Sequence, residues 1–179
     1  MDWLKKSTLM RLRDQLRERG QQPSVRLPVA NLPPQAMELL AVTAEYGALC
    51  EAMYMMMAAD GKVTEAERDV LKGALRTLTE DSVRSVHIEA MLDSATKRLV
   101  AEGRETRLAA VIDALCKDPV KAEVALVLAA AVAFADDVLH PEEDAFLQRL
   151  AEGLHIDGLR THELVEQLKR DVAGKGKKG

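Results

Sequence analysis

The sequence predicts an all-α protein, and three observations carry that prediction. Alanine (26 residues) and leucine (25) are the commonest side chains, and both favour helices packed through short aliphatic contacts. Aromatic residues make up only 3% of the chain, with ten glycines and six prolines, which argues against an aromatic-rich β sandwich. No segment alternates with period two for long enough to form a strand, whereas apolar residues recur at three- and four-residue intervals. With 179 residues, 47% of them apolar, the chain can bury one substantial core without disulfide or metal staples.

Taken in order, residues 3–19 read as a basic amphipathic helix whose apolar members are Trp3, Leu9, Met10, Leu12 and Leu16, ended by Gly20. Residues 21–34 hold Pro23, Pro28, Pro33 and Pro34, four of the six prolines, and prolines remove amide donors and favour extended geometry, as in a linker. Residues 35–59 form a long helix that is apolar almost all round, which belongs at the centre of a bundle. Residues 120–135 are a second such helix; their longest apolar run, 124–135, has 12 residues and is too short to span a membrane. Amphipathic helices are expected over roughly 65–79, 82–102, 105–117, 141–153 and 161–172. The run 174–179 is Gly/Lys only and is expected to be disordered. The expected organisation is an N-terminal helix and linker over 1–34, a bundle of about seven helices over 35–172, and a basic tail over 173–179.

The formal net charge of −4 conceals a division: residues 1–34 sum to +4, residues 35–157 to −11 and the remainder to +3. An acidic body repels a phosphate backbone, which argues against nucleic acid as its ligand, and attracts cations or basic proteins. The N-terminus lacks the apolar stretch of a secretory signal, and Cys50 and Cys116 form no CxxC motif. A reducing cytoplasm with two buried, inert thiols is the expectation.

An internal repeat stands out. Ala59-Asp60-Gly61-Lys62-Val63-Thr64-Glu65-Ala66-Glu67 is followed by Val70-Leu71. Ala135-Asp136-Asp137-Val138-Leu139-His140-Pro141-Glu142-Glu143 is followed by Phe146-Leu147, 76 residues later. Each copy follows one of the two apolar helices, so the unit is helix, acidic turn, helix. Local physics accounts for each carboxylate separately. Asp60-Gly61 stops a helix, Thr64 to Glu67 spells a capping box, Pro141 suits a first helical residue, and Val63 is expected to point back into the core. The pair of copies supports a further reading. If the two units pack about a pseudo-twofold axis, Asp60, Glu67, Asp136 and Glu143 approach one another, and four close carboxylates repel unless a cation joins them. Oxygen ligands suit Ca²⁺, Mg²⁺ or Mn²⁺ rather than zinc, although the spacing is not that of an EF-hand.

Met57 to Glu67 resembles the first signature of the tellurite-resistance TerB-like family, and Phe134 to Glu143, followed by Leu150-Ala151-Glu152-Gly153-Leu154, resembles its second. The likeness covers roughly residues 35–172. It implies an all-helical domain with two pseudo-symmetric halves and an acidic patch proposed to hold a divalent cation. Carried over by position, that patch is Asp60, Glu67, Asp136 and Glu143, with Asp137 adding a carboxylate where the first copy has Gly61. The family implies a non-enzymatic, cytoplasmic stress-response role linked to tellurite, colicin or phage resistance and to membrane-associated complexes.

Other candidates are weaker. Met53, Met55, Met56 and Met57 cannot all face one ion, because successive helical residues point about 100° apart; they are expected to fill the core. His87, His140, His155 and His162 have no zinc-ligand spacing, and His140 reads as a helix-start residue. No nucleophile elbow, phosphate loop or dinucleotide fingerprint occurs. The basic N-terminal helix, residues 1–20, could lie on an anionic membrane or dock on an acidic protein surface, and Asp2, Asp14 and Glu18 dilute its cationic face in favour of docking. The rival to a cation-binding protein is a metal-independent adaptor or immunity module that uses the acidic surface alone.

Overall fold

In a computed structural model of the chain, the described residues are 6–18, 34–79, 83–135 and 139–173, and eight helices account for most of them. They are α1 (Lys6–Glu18), α2 (Pro34–Met57), α3 (Glu65–Leu78), α4 (Ser85–Glu102), α5 (Arg104–Leu115), α6 (Pro119–Ala133), α7 (Pro141–Gly153) and α8 (Gly158–Ala173). No strand occurs among the described residues. The all-α helical bundle is as the sequence predicts, with seven helices in the body and α1 added to them. The linker, Asp136, Asp137 and residues 174–179 lie outside the described residues.

The centre of the bundle is the packing of α2 on α6, and every other helix touches at least one of the two. From Ala122 to Ala133 every α6 residue except Glu123 is buried. The alanines of α6 allow close approach, and α2 answers with Met53, Met55, Met56 and Met57, all fully buried. Unbranched, flexible methionine fills the irregular spaces that such a helix leaves, so the methionine cluster is core, as expected.

The expectation that residues 35–59 sit at the centre of the bundle holds for the second half of α2 only. Its buried residues run only from Leu49 to Met57, whereas Met37, Leu40, Ala41 and Ala44 are exposed. Apolarity on all sides describes what a helix can bury, but the neighbours decide how much is covered.

The helix starts follow from local chemistry. Asp118 accepts the Val120 and Lys121 amides at 3.0 and 3.3 Å ahead of Pro119, the first residue of α6. Asp157 accepts the Arg160 amide at 2.8 Å and so starts α8 at Gly158, earlier than the expected residue 161. α1 seats Leu9 and Leu12 in the core against α3 and α6. The Thr8 hydroxyl donates to Asp171 Oδ2 on α8 at 2.6 Å, and Arg11 lies 3.6 Å from the same carboxylate. The central repeat also appears in the packing. α2 contacts α3 and α7, while α6 contacts α7 and α3, so exchanging the two halves maps these contacts onto themselves.

Candidate functional site

The first acidic turn begins where α2 runs out. The Ala59 amide donates to the Met56 carbonyl at 2.9 Å and the Gly61 amide to the Ala58 carbonyl at 3.3 Å. Gly61 has φ +82, a left-handed conformation that glycine adopts without a side-chain penalty. Asp60 Oδ1 accepts the Lys62 amide at 2.7 Å, a local bond typical of aspartate in turns. Thr64 then opens α3. Glu67 Oε2 accepts both the Thr64 amide and the Thr64 hydroxyl at 2.7 Å, and the Glu67 amide donates to Thr64 Oγ1 at 3.2 Å. This is the capping box read from the sequence. Val63 departs from expectation: it is 37% exposed rather than turned into the core, because the turn leaves it on the outer side.

The second copy repeats these bonds at the same offset. Ala135 donates to the Val132 carbonyl at 2.9 Å, as Ala59 does to Met56. Glu143 Oε2 accepts the His140 amide at 2.8 Å, as Glu67 does from Thr64. The Asp144 amide reaches the His140 carbonyl at 3.0 Å, as Arg68 reaches Thr64 at 3.2 Å. His140 is the residue that starts α7, as expected, with Pro141 first inside the helix. Glu67 and Glu143 are each only 4% exposed.

Of the proposed ligands, Asp60 and Glu67 flank the first turn and Glu143 stands at its counterpart, while Asp136 and Asp137 lie outside the described residues. Among the described residues no three His, Cys, Asp or Glu side chains converge as a metal-binding group. The candidate donors are all oxygens, which fits a hard divalent cation. Soft donors are committed elsewhere. Met53, Met55, Met56 and Met57 are buried in the core, and burial pushes the Cys50 thiol up to about 12, with Glu51 adding to the shift and Arg98 opposing it. Cys116 is half-exposed rather than buried as expected, since it lies at the end of α5 facing a cleft beside Leu154 and Ile156.

Two charged groups near the turn were not anticipated. Arg104, the first residue of α5, donates to the Ala58 carbonyl and, at 3.0 Å, to the Ala59 carbonyl. Glu51, buried within α2, is held by Arg98 and Arg107. A lone carboxylate inside the most apolar stretch of α2 signals that a cation must reach it, but nothing local identifies which one.

A groove of about 470 Å³ lies between α1, α6 and α8, with Arg11, Glu123, Arg160 and Arg170 on its walls. Arg160 there is already engaged, with Nε and Nη2 on Glu123 at 2.7 and 2.8 Å. No helix of the described residues is long and apolar enough to cross a membrane.

The family model described as "Tellurite resistance protein TerB" matches residues 46–165, a span that contains both acidic turns and leaves out α1 and the first part of α2. No curated protein and no solved structure matches the chain.

Proposed function

Because the chain belongs to the tellurite-resistance TerB family, we propose that it is a non-catalytic stress-response protein of that kind. In this reading it binds a divalent cation between its two acidic turns and engages a protein partner, on the cytoplasmic side of a membrane-linked stress complex.

The observation that carries the reading is the repetition of main-chain and capping bonds at both turns. Glu67 and Glu143 occupy equivalent buried positions beside turns that bear Asp60 and Asp136. Carboxylates gathered there would repel at intermediate dielectric, and Ca²⁺, Mg²⁺ or Mn²⁺ would relieve that repulsion through oxygen ligands. Asp137 offers one more carboxylate in the second turn. Calorimetric titration with Ca²⁺ and Mn²⁺ tests the reading on the wild type and an Asp60→Ala, Asp136→Ala double variant. Binding by the wild type and its loss in the variant is expected; equal, negligible binding by both overturns it.

A second reading is a metal-independent interaction module whose body, with a net charge of −11 over residues 35–157, binds a basic protein. The bonds that Asp60 and Glu67 already make to the backbone favour it, because they give those carboxylates a structural role without metal. It requires the melting temperature to stay unchanged when a divalent ion is added, whereas specific binding to the native state raises it.

A further inference from the structure

The end of α2 presents an unusual electrostatic arrangement. The helix ends at Met57, so its last carbonyls run out of intrahelical amide donors; the Ala58 carbonyl accepts the Gly61 amide at the long distance of 3.3 Å. They also carry the negative end of the helix dipole. Arg104 answers both needs by donating to the Ala58 and Ala59 carbonyls. These two residues immediately precede Asp60, whose own Oδ1 is turned to the Lys62 amide. A permanent positive charge therefore rests on the main chain of the first acidic turn.

We propose that Arg104 is the built-in cation of this turn: it holds the α2 carbonyls when no divalent ion is bound, and a divalent ion entering the turn must compete with it. The competition rests on the cation-binding reading above; the hold on the turn does not. The same turn of α5 is anchored independently. Arg107 grips Glu51, and Arg149 of α7 pairs with Glu105, its Nη1 lying 3.0 Å from Oε1. With those anchors in place, the Arg104 side chain can swing away while α5 stays seated. Gly103, at φ +83, ends α4 directly before it, so Arg104 is the first residue of a new helix.

The test uses the full chain with Arg104→Gln and Arg104→Lys. In the presence of a chelator, amide hydrogen exchange at Ala59, Gly61 and Lys62 should speed up several-fold in Arg104→Gln and stay near wild type in Arg104→Lys. In a Mn²⁺ titration, removing a unit charge beside the site should tighten binding by about three- to tenfold. A residue that merely supported the fold would move both readouts in the damaging direction, so tighter binding by a looser turn is the distinguishing result. Unchanged exchange in Arg104→Gln overturns the hold on the turn, and unchanged or weaker Mn²⁺ binding overturns the competition. If neither wild type nor variant takes up Mn²⁺, the cation-binding reading fails and the competition with it, while the exchange experiment still decides whether Arg104 holds the turn.

Discussion

Arg107 in the first turn of α5 clasps Glu51 in the buried half of α2, with Nε donating to Oε1 at 2.8 Å and Nη2 to Oε2 at 3.0 Å. Arg98 of α4 adds a bond to Oε2 at 2.8 Å, so one carboxylate fastens three helices together. The hydrogen bond to Glu51 raises Arg107 above its ordinary pKa and keeps it firmly protonated. The arrangement is not free of cost, because Arg98 Nε is buried without a hydrogen-bond partner.

Removing Glu51 alone should therefore destabilise the protein strongly. Full burial of an orphaned charge costs about 3–5 kcal/mol; partial solvent access to Arg98 and Arg107, 34% and 15% exposed, reduces the expectation for Glu51→Ala to about 2–3 kcal/mol. Urea denaturation should show a lower midpoint at unchanged slope. A Glu51→Gln midpoint equal to wild type would mean that the charge contributes nothing.

The capping boxes separate structure from ligand binding. Thr64→Ala should cost about 1 kcal/mol, or roughly 2–4 °C in melting temperature for a chain of this size. Glu67→Ala should cost more, since one oxygen serves both the amide and the hydroxyl of Thr64. Glu67→Gln keeps an acceptor for those bonds and loses the negative charge. It should melt near the wild type and, on the cation-binding reading proposed above, bind a divalent ion more weakly; a thermal melt followed by a Mn²⁺ titration reads both effects.

The difference between what was legible in the sequence and what was not follows the range of each interaction. Helix α7 (Pro141–Gly153) begins and ends where its proline and glycine place it, and the Thr64–Glu67 box forms as written, because these features depend on neighbours within one helical turn. The exposure of Met37 and Leu40 depends on which helices reach the first half of α2, and periodicity carries no information about that. Arg104 meets Ala58 across 46 positions and Arg107 meets Glu51 across 56, so the partners of both arginines are set by packing. Of the four predicted ligands, Glu67 is legible through its capping box, whereas the Asp60 bond to the Lys62 amide and the Glu143 bond to the His140 amide are equally local but are not spelled out by the pattern.

The two cysteines should behave as chemically different thiols. Cys50 is buried and its pKa is raised to about 12, whereas Cys116 is half-exposed. A thiol reagent such as Ellman's should modify Cys116 alone in the native protein and both residues after denaturation. The raised value also has a stability consequence. The unfolded chain ionises Cys50 near its ordinary 9.0 while the folded chain keeps the proton. This contribution is present in full below about 9 and is lost as pH rises toward about 12. Cys50→Ala should flatten the alkaline limb of the stability curve, and an unchanged limb would count against the burial effect.

The N-terminal helix should behave as part of the fold. Leu9 and Leu12 are 4% and 3% exposed, and truncating a buried leucine to alanine costs about 2–5 kcal/mol. Leu12→Ala should therefore lower the cooperative melting temperature of the whole protein rather than release α1 alone. If α1 instead used these leucines to reach a bilayer, Leu12→Ala would leave the melt unchanged and weaken co-sedimentation of the full chain with anionic vesicles.

Two glycine-to-alanine substitutions should change stability in opposite directions. Gly73 lies inside α3 on an exposed face, and an added Cβ meets nothing within 4 Å; Gly73→Ala should gain roughly 0.5–1 kcal/mol from helix propensity. Gly153 ends α7 against α5, where an added Cβ would stand 2.9 Å from Ile112 Cγ1, 3.2 Å from its Cγ2 and closer still to Cδ1. The β-branched isoleucine has few rotamers with which to withdraw, so α5 and α7 must separate. Overpacking of this kind costs about 1–3 kcal/mol, which outweighs the propensity gain. Gly153→Ala should melt below wild type, and an Ile112→Val background should recover part of the loss. Stabilisation by both alanines would show that the α5–α7 contact yields more easily than the geometry implies.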